Sequence, residues 1–308
     1  MNTEYAMRLL SLGRGGRFRG VLQLTGTAII VAVLAYALLQ NRDQFLQTSF
    51  SLDYPLMALA FALWLGGYFL FALGWSLVLR ALGNPIGWWK ASRVFFLSQG
   101  LKYIPGSVVY AFGRVYLAQE AGVRAVPAAV GLALESLLAL ATALLVFLAL
   151  LPLGLWRDLP APLIAAALVG TVAIVVSLPV VLRKLSILWA KKGAVDLSYS
   201  ALVLLSGFYI FIWLVVGLAC YVSLLSLGQE ANIGFFQVLG LYALSWAAGL
   251  VAVFAPGGVG VRDGLFILLL SAFIPLPLAA LGAAIIRMQT LAVEGLLAVI
   301  SMKIRSDL

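Results

Sequence analysis

The sequence predicts an all-α polytopic membrane protein with about six membrane-spanning helices and two re-entrant helical hairpins, arranged as an inverted repeat. Three observations indicate this fold class. The 308 residues are 64% hydrophobic and only 10% charged, with a mean hydropathy of +1.11, far above that of water-soluble domains. Several apolar runs exceed the roughly 18 residues that a helix needs to cross a bilayer. Two short segments, 101–114 and 255–264, interrupt this pattern with proline, glycine and charge.

The predicted full spans are the long apolar runs of the chain. In order, they are residues 21–39, 54–79, 127–151, 161–182, 199–227 and 278–300. Arginines precede the first run, which is too long for the apolar core of a signal peptide and is followed by no small-x-small cleavage site. We therefore expect that run to remain in the protein as the first span.

The first interruption, LKYIPGSVVYAFGR at residues 101–114, lies between the second and third spans. Pro105 ends a helix because it lacks a backbone donor and clashes with the preceding turn, and Gly106 lets the backbone reverse. The limb that ends near residue 104 and the return limb that ends near residue 118 are too short to cross the bilayer separately. We therefore predict a re-entrant hairpin whose freed backbone groups are satisfied by protein or trapped water.

The second interruption, APGGVGVRDG at residues 255–264, lies between the fifth and sixth spans. It predicts a second re-entrant hairpin over residues 234–274, because the same residue types end a helix and turn the backbone. The predicted break residues are Pro256, Gly257, Gly258 and Gly260.

The order span, span, hairpin, span occurs twice within a single membrane domain, residues 1–308, with repeats at about 21–151 and 161–301. The second copy begins on the opposite face of the membrane, as in the inverted repeats of many secondary transporters. This topology places both termini and most basic loop residues in the cytoplasm, in agreement with the positive-inside rule. LALESLLAL (132–140) and LAVEGLLAV (291–299) are similar, which is compatible with a duplication.

Charged residues within or beside the predicted spans and hairpins are few. They are Lys102, Arg114, Glu135, Arg262, Asp263, Arg287 and Glu294. A charge near the bilayer centre costs about 2.5–3.5 kcal/mol on insertion scales, so such residues need partners or water. One interpretation is structural: Glu135 pairs with Lys102 or Arg114. Glu294 likewise pairs with one of the two arginines of the second half, and the hairpins are thereby fastened to long spans.

The other interpretation is functional, because four of these side chains are cationic and three are anionic. The helices that begin after Ser107 and after Gly258 present unpaired N–H groups and a partial positive charge, which attract anions. The candidate substrate-binding residues are Lys102, Ser107, Arg114, Arg262 and Arg287. The candidate charge-balancing or gating residues are Glu135, Asp263 and Glu294. A phosphate-bearing head group fits this arrangement.

Other function classes find little support in the sequence. The formal net charge is +9, but topology and anionic lipid head groups account for it, so no nucleic-acid partner is expected. There is no histidine and a single cysteine, Cys220, and no metal-binding or nucleophile constellation is recognised. The GGVGVRDG run lacks the spacing of a nucleotide-binding loop. We therefore predict no catalytic residue, no metal, no cofactor and no enzymatic activity.

The two interrupted segments resemble the signatures of a known family. SQGLKYIPGSVVYAFGRVYLAQEAGV at residues 98–123 and APGGVGVRDG at residues 255–264 resemble those of the lysylphosphatidylglycerol synthase/flippase transmembrane-domain family. By position, the motif residues are Lys102, Pro105, Gly106, Arg114, Pro256, Gly257, Gly258, Gly260, Arg262 and Asp263. Many members carry glutamate where Asp263 stands.

The resemblance implies a lipid flippase in the bacterial or archaeal cytoplasmic membrane, with an aminoacylated phospholipid or a polyprenyl-linked glycolipid as cargo. No stretch resembles the soluble aminoacyl-transferase domain of bifunctional members, so synthesis of an aminoacyl lipid is not expected. Membrane lipids with an anionic head group are the expected partners, and a homodimer or a lipid-modifying enzyme is a further candidate. Two alternatives stay open: a secondary transporter of a small soluble anion, and a non-transporting membrane subunit of a lipid-modifying enzyme.

Overall fold

The computed structural model describes residues 51–102, 107–150, 198–228, 233–252, 255–258 and 260–303. These residues form helices and connecting turns without any strand, which confirms the predicted fold class. The α-helices, numbered in chain order within this part of the chain, are α1 (Tyr54–Ala81), α2 (Trp88–Leu101), α3 (Ser107–Glu120), α4 (Ala125–Leu150), α5 (Tyr199–Leu225), α6 (Phe235–Val251), α7 (Val261–Leu270) and α8 (Leu276–Lys303). A short 3₁₀ helix, Pro256–Gly258, lies between α6 and α7.

Four of these helices, α1, α4, α5 and α8, are long and apolar enough to cross a membrane. They coincide with the predicted spans that begin at residues 54, 127, 199 and 278, and the chain is an integral membrane protein. The predicted spans 21–39 and 161–182 lie outside the described residues. The total of about six spans therefore stays a prediction.

Local sequence determines where the long helices begin. Asp53 precedes α1, and its side chain accepts a 3.0 Å hydrogen bond from the backbone N–H of Leu56. Pro55 stands in the first turn, where a missing donor is tolerated. Ser198 caps α5 in the same way, through a 3.2 Å bond from Ala201. Such caps satisfy backbone donors that the first helical turn leaves unpaired.

The core lies where α5 packs on α1, α4 and α6, and α4 packs on α1 and α6. Trp75 and Trp213 are among its largest fully buried side chains. The Trp213 ring packs edge-on against Trp246 at a centroid distance of 5.1 Å, and its Nε1 donates to Thr142 Oγ1 at 3.1 Å. Within a bilayer, close packing and interhelical hydrogen bonds of this kind hold helices together.

A pair of shorter helices occupies the place of the first predicted hairpin. α2 ends at Leu101, α3 begins at Ser107, and the two helices pack against each other. Pro105 and Gly106, the predicted break, lie outside the described residues. The return of this pair to one face of the membrane stays a prediction.

A second pair, α6 and α7, occupies the place of the other predicted hairpin, and its helices also pack together. Gly257, Gly258 and Gly260 between them have φ angles of 61°, 69° and 84°, a region that favours glycine. The helix is thus interrupted at the predicted residues. Its re-entrant course and the inverted-repeat arrangement of the two halves stay predictions.

Candidate functional site

A cavity of about 300 Å³ lies between α1 to α6 and the second helix interruption. Its aromatic wall comprises Trp64, Tyr68, Phe71, Phe95, Tyr110, Trp213, Tyr242 and Trp246. Its polar wall comprises Gln99, Lys102, Glu135, Ser136 and Arg262. Apolar walls with a few converging polar groups are the usual form of a small-molecule site, and volumes of roughly 300–1,000 Å³ are typical. The cavity therefore suits a head group rather than a whole lipid.

The first ion pair at the cavity joins Lys102, directly after the last residue of α2, to Glu294 in α8. Lys102 Nζ lies 2.5 Å from Glu294 Oε1, and it also donates to Gln99 Oε1 at 3.2 Å. The Tyr68 hydroxyl donates a short hydrogen bond to the same Glu294 oxygen. The Lys102 side chain is 22% exposed and that of Glu294 is 5% exposed. The ammonium group thus faces the cavity, and its carboxylate partner is enclosed.

A second group of charges stands at the start of α7. One carboxylate oxygen of Asp263, Oδ1, lies 3.3 Å from Nε of Arg262, and the other, Oδ2, lies 3.9 Å from Nε of Arg287 in α8. Arg262 lines the same cavity as Lys102. We use the term basic cluster for Lys102, Arg262, Asp263, Arg287 and Glu294. Its three cations and two carboxylates leave one net positive charge.

Arg114 is enclosed by protein. Its exposed fraction is 0%, its Nη2 lies 2.6 Å from Oε2 of Glu135, and its Nη1 donates to the Tyr110 hydroxyl at 2.8 Å. The guanidinium carbon lies 4.2 Å from the ring centroid of Trp75 and 4.5 Å from that of Phe95, which are cation–π distances. A buried guanidinium requires such partners. Glu135 lines the cavity and Arg114 does not. Arg114 therefore balances the charge of Glu135 without facing the cavity itself.

The second interruption brings the backbone unusually close to α6. A Cβ atom added at Gly249 would lie 2.9 Å from Cβ of Arg262, and one added at Gly258 would lie 3.2 Å from Cα of Gly249. Contacts this short leave no room for a larger residue unless the backbone shifts. The close approach of these glycines thus allows Arg262 to reach the cavity wall.

The structure divides the predicted site residues between the basic cluster and the pair formed by Arg114 and Glu135. Arg114 is one of the two partners that the sequence indicates for Glu135. Glu294 pairs with Lys102, a partner that the sequence does not indicate for it. Of the other predicted residues, Ser107 begins α3 and Gly260 precedes α7. The 3₁₀ helix consists of Pro256, Gly257 and Gly258. Pro105 and Gly106 lie outside the described residues.

Three features of the site are not apparent in the sequence: the Tyr68 hydrogen bond, the close approach at Gly249 and the tryptophans of the cavity wall. A signal exists for Gly249, which ends the small-residue run Ala247, Ala248, Gly249 in an apolar helix. Small residues mark close helix contacts in membranes. Aromatic residues are too common in apolar spans for their presence to indicate a site.

The fold and the site define a class of protein: a helical, multi-pass membrane protein in which interrupted helices carry a net-positive group of ion pairs beside a small cavity. In the described ranges, no group of three or more His, Cys, Asp or Glu residues is placed to hold a metal ion.

Comparison with protein families specifies this class further. The family model described as the lysylphosphatidylglycerol synthase TM region matches residues 23–298, and the chain belongs to this family. The match includes both interrupted segments, which confirms the resemblance that their motifs indicate. No curated protein matches the chain.

Proposed function

We propose that this protein moves a phosphate-bearing lipid across the cytoplasmic membrane, and that the cargo is an aminoacylated phospholipid or a polyprenyl-linked glycolipid. The basic cluster is the observation that carries the proposal, since its net positive charge adjoins a cavity between long apolar helices. Cationic side chains beside a cavity within the membrane attract an anionic group more strongly than they would in water. Membership of the lysylphosphatidylglycerol synthase TM family supports a role with lipids.

The phosphate is held by Lys102 and Arg262, the cations of the cavity wall, with Arg287 beside them. Hydrogen bonds between ionised donors and phosphate oxygens are roughly twice as strong as those between neutral groups. The aromatic wall then packs against the remainder of the head group. Trp64 and Tyr242, whose rings meet edge-on at 5.8 Å, form one corner of this wall.

The hydrocarbon tail stays in the bilayer, because the cavity holds little more than a head group. Leu250, near the end of α6, lines the cavity and is also 38% exposed. Its neighbour Val251 is 64% exposed. An apolar edge therefore stands where the cavity wall meets the protein surface, which suits a lipid with its head inside and its tail outside.

Transfer between leaflets proceeds by alternate opening of the two halves. Interrupted helices packed on long spans are the elements that serve such movements in inverted-repeat transporters. In this chain, α2 packs on α8 and α7 packs on α8. Both helix pairs therefore contact the same long helix, whose displacement would change the shape of the cavity.

The proposal is tested in liposomes that contain the purified protein and fluorescently labelled lipids, with and without a phosphate head group. Chemical reduction of the label from outside measures transfer to the outer leaflet. We expect Arg262→Ala to slow transfer of the phosphate lipid about tenfold to a hundredfold, because loss of a hydrogen bond to a charged group costs about 1.5–3 kcal/mol.

Arg80→Ala is the matched control, because Arg80 is an exposed arginine in the last turn of α1. Equal transfer rates for the wild type and Arg262→Ala would contradict the proposal. So would equal transfer of the phosphate lipid and the neutral lipid. Liposomes loaded with inorganic phosphate test the alternative, since phosphate release without lipid transfer identifies a transporter of soluble anions.

A further inference from the structure

We infer that Glu294 occupies the phosphate site when no substrate is bound, and that an incoming phosphate binds by replacing this carboxylate at Lys102. The inference rests on the proposed function, because it concerns the same site. It assigns Glu294 a role in substrate binding besides that of balancing charge.

Two groups that hold the Glu294 carboxylate, the Lys102 ammonium and the Tyr68 hydroxyl, belong to the cavity wall. Lys102 Nζ lies 2.5 Å from Oε1, and the Tyr68 hydroxyl donates to the same oxygen. Lys102 and Tyr68 line the cavity, while the Glu294 side chain is 5% exposed. A phosphate in the cavity presents the same kind of anionic acceptor to the same two donors. It can therefore take the place of Oε1 without a change in either donor.

The displaced carboxylate has a cation on its own helix. Arg287 lies two helical turns before Glu294 in α8, on the same face, and Arg262 lines the same cavity as Lys102. The exchange leaves the Lys102 ammonium with an anionic partner throughout. Removal of one partner from a buried ion pair without such a replacement is strongly destabilising.

The exchange also has a mechanical consequence. Lys102 terminates α2 beside the first interruption, and Glu294 lies 192 positions later in α8. Replacing the carboxylate by phosphate removes this link between the two helices. Substrate binding thereby weakens the attachment of α2 to α8, which is a contact between the two predicted halves.

The other buried ion pair lacks these properties. Arg114 is 0% exposed and is covered by the rings of Trp75 and Phe95. An anion in the cavity has no access to its guanidinium group. Exchange is therefore open to the Lys102–Glu294 pair and closed to the Arg114–Glu135 pair.

The test measures binding of dihexanoyl phosphatidic acid, a soluble phosphate lipid, and of inorganic phosphate to the purified full-length protein by isothermal titration calorimetry. Glu294→Gln keeps the shape of the side chain and removes its charge. We expect it to bind dihexanoyl phosphatidic acid about tenfold more tightly than the wild type does. This factor corresponds to a Lys102–Glu294 pair that blocks the site in about nine of ten unliganded wild-type molecules.

Asp263→Asn is the matched control, because it removes the same charge from the basic cluster and leaves the Lys102–Glu294 pair intact. We expect it to tighten binding about threefold or less, since the Asp263 side chain is 23% exposed and that of Glu294 is 5% exposed, so water and salt screen the Asp263 charge more strongly. Thermal unfolding verifies that each variant is folded. If Glu294→Gln does not fold, Glu294→Asp keeps the charge on a shorter side chain and is expected to tighten binding about threefold.

Unchanged or weaker binding by the folded Glu294 variant would overturn the inference, because a purely structural pair predicts that result. Equal tightening by Glu294→Gln and Asp263→Asn would also overturn it, because net charge alone would then set the affinity. Tightening for phosphatidic acid alone supports a lipid head group as the ligand, and tightening for inorganic phosphate as well supports the phosphate group itself. If Glu294→Gln binds more tightly but the wild type transfers no lipid, the inference is supported and the proposed function is contradicted. If the wild type transfers lipid but Glu294→Gln binds no more tightly, the proposed function is supported and the inference is contradicted.

Discussion

The Nη2 atom of Arg114 lies 2.6 Å from Oε2 of Glu135, and this ion pair fastens α3 to α4. A second pair, Lys102 with Glu294, fastens the end of α2 to α8. The first helix pair is thus held by carboxylates from two long helices. The two ion pairs differ in access, because the Arg114 side chain is fully enclosed and that of Lys102 is 22% exposed. This difference agrees with a structural role for the first pair and with the binding role that we propose for the second.

The structural role of the Arg114–Glu135 pair predicts a large loss of stability when one partner is removed. Glu135→Gln is expected to lower the free energy of unfolding by about 3–5 kcal/mol, because it leaves a buried guanidinium without its counterion. Unfolding in detergent, monitored by tryptophan fluorescence, measures the change. Glu120→Gln at the exposed end of α3 is the control and should change little. A Glu135→Gln variant as stable as the wild type would contradict this role.

Removal of both charges should be tolerated better than removal of one. In the double variant Arg114→Met, Glu135→Leu, apolar side chains replace a buried ion pair, which is often neutral for stability. We expect it to recover most of the free energy that Glu135→Gln loses. The same unfolding experiment shows this, and a double variant less stable than Glu135→Gln would count against the expectation.

Gly249 is expected to be necessary for the position of Arg262. In Gly249→Ala the new Cβ meets Cβ of Arg262 at 2.9 Å, so α6 and α7 must separate, at a cost of about 1–3 kcal/mol. Binding of phosphatidic acid should weaken as well, because Arg262 moves from the cavity wall. Gly264→Ala is the control, since a Cβ there meets nothing within 4 Å. Wild-type stability and affinity in Gly249→Ala would show that the close approach is dispensable.

Gly258 combines backbone strain with a steric limit, and Gly83 separates the two effects. Both have a φ of 69°, but a Cβ at Gly83 meets nothing within 4 Å. Gly83→Ala should therefore cost about 1–2 kcal/mol, for the left-handed conformation alone. Gly258→Ala should cost about 3 kcal/mol or more, because its Cβ also meets the Gly249 backbone. Equal losses in the two variants, measured by unfolding, would exclude the steric contribution.

The long helices can be predicted from the sequence because length and hydropathy decide whether a segment crosses a bilayer. The predicted span 54–79 corresponds to α1, and Asp53 with Pro55 marks its start, as helix-capping preferences indicate. The second interruption can also be predicted from the sequence, since glycines with positive φ angles lie where proline and glycine cluster.

The partner of Glu294 cannot be predicted from the sequence in the same way. Lys102 is 192 positions away, and helix packing rather than any local pattern decides which cation a buried carboxylate meets. The role of Tyr68 depends on the same packing, because a tyrosine in an apolar span has no visible function until its hydroxyl is placed. Access to the cavity likewise distinguishes Arg262, which lines it, from Arg114, which does not, although the sequence presents both as arginines beside helix breaks.

The position of a bound phosphate shows whether Lys102 and Arg262 form the head-group site. An electron cryomicroscopy map of the protein in lipid nanodiscs with phosphatidic acid locates the head group. We expect phosphate oxygens within about 3 Å of both Lys102 Nζ and the Arg262 guanidinium, with the Glu294 carboxylate moved away from Lys102. Phosphate density remote from both cations, with the Lys102–Glu294 pair intact, would contradict this expectation.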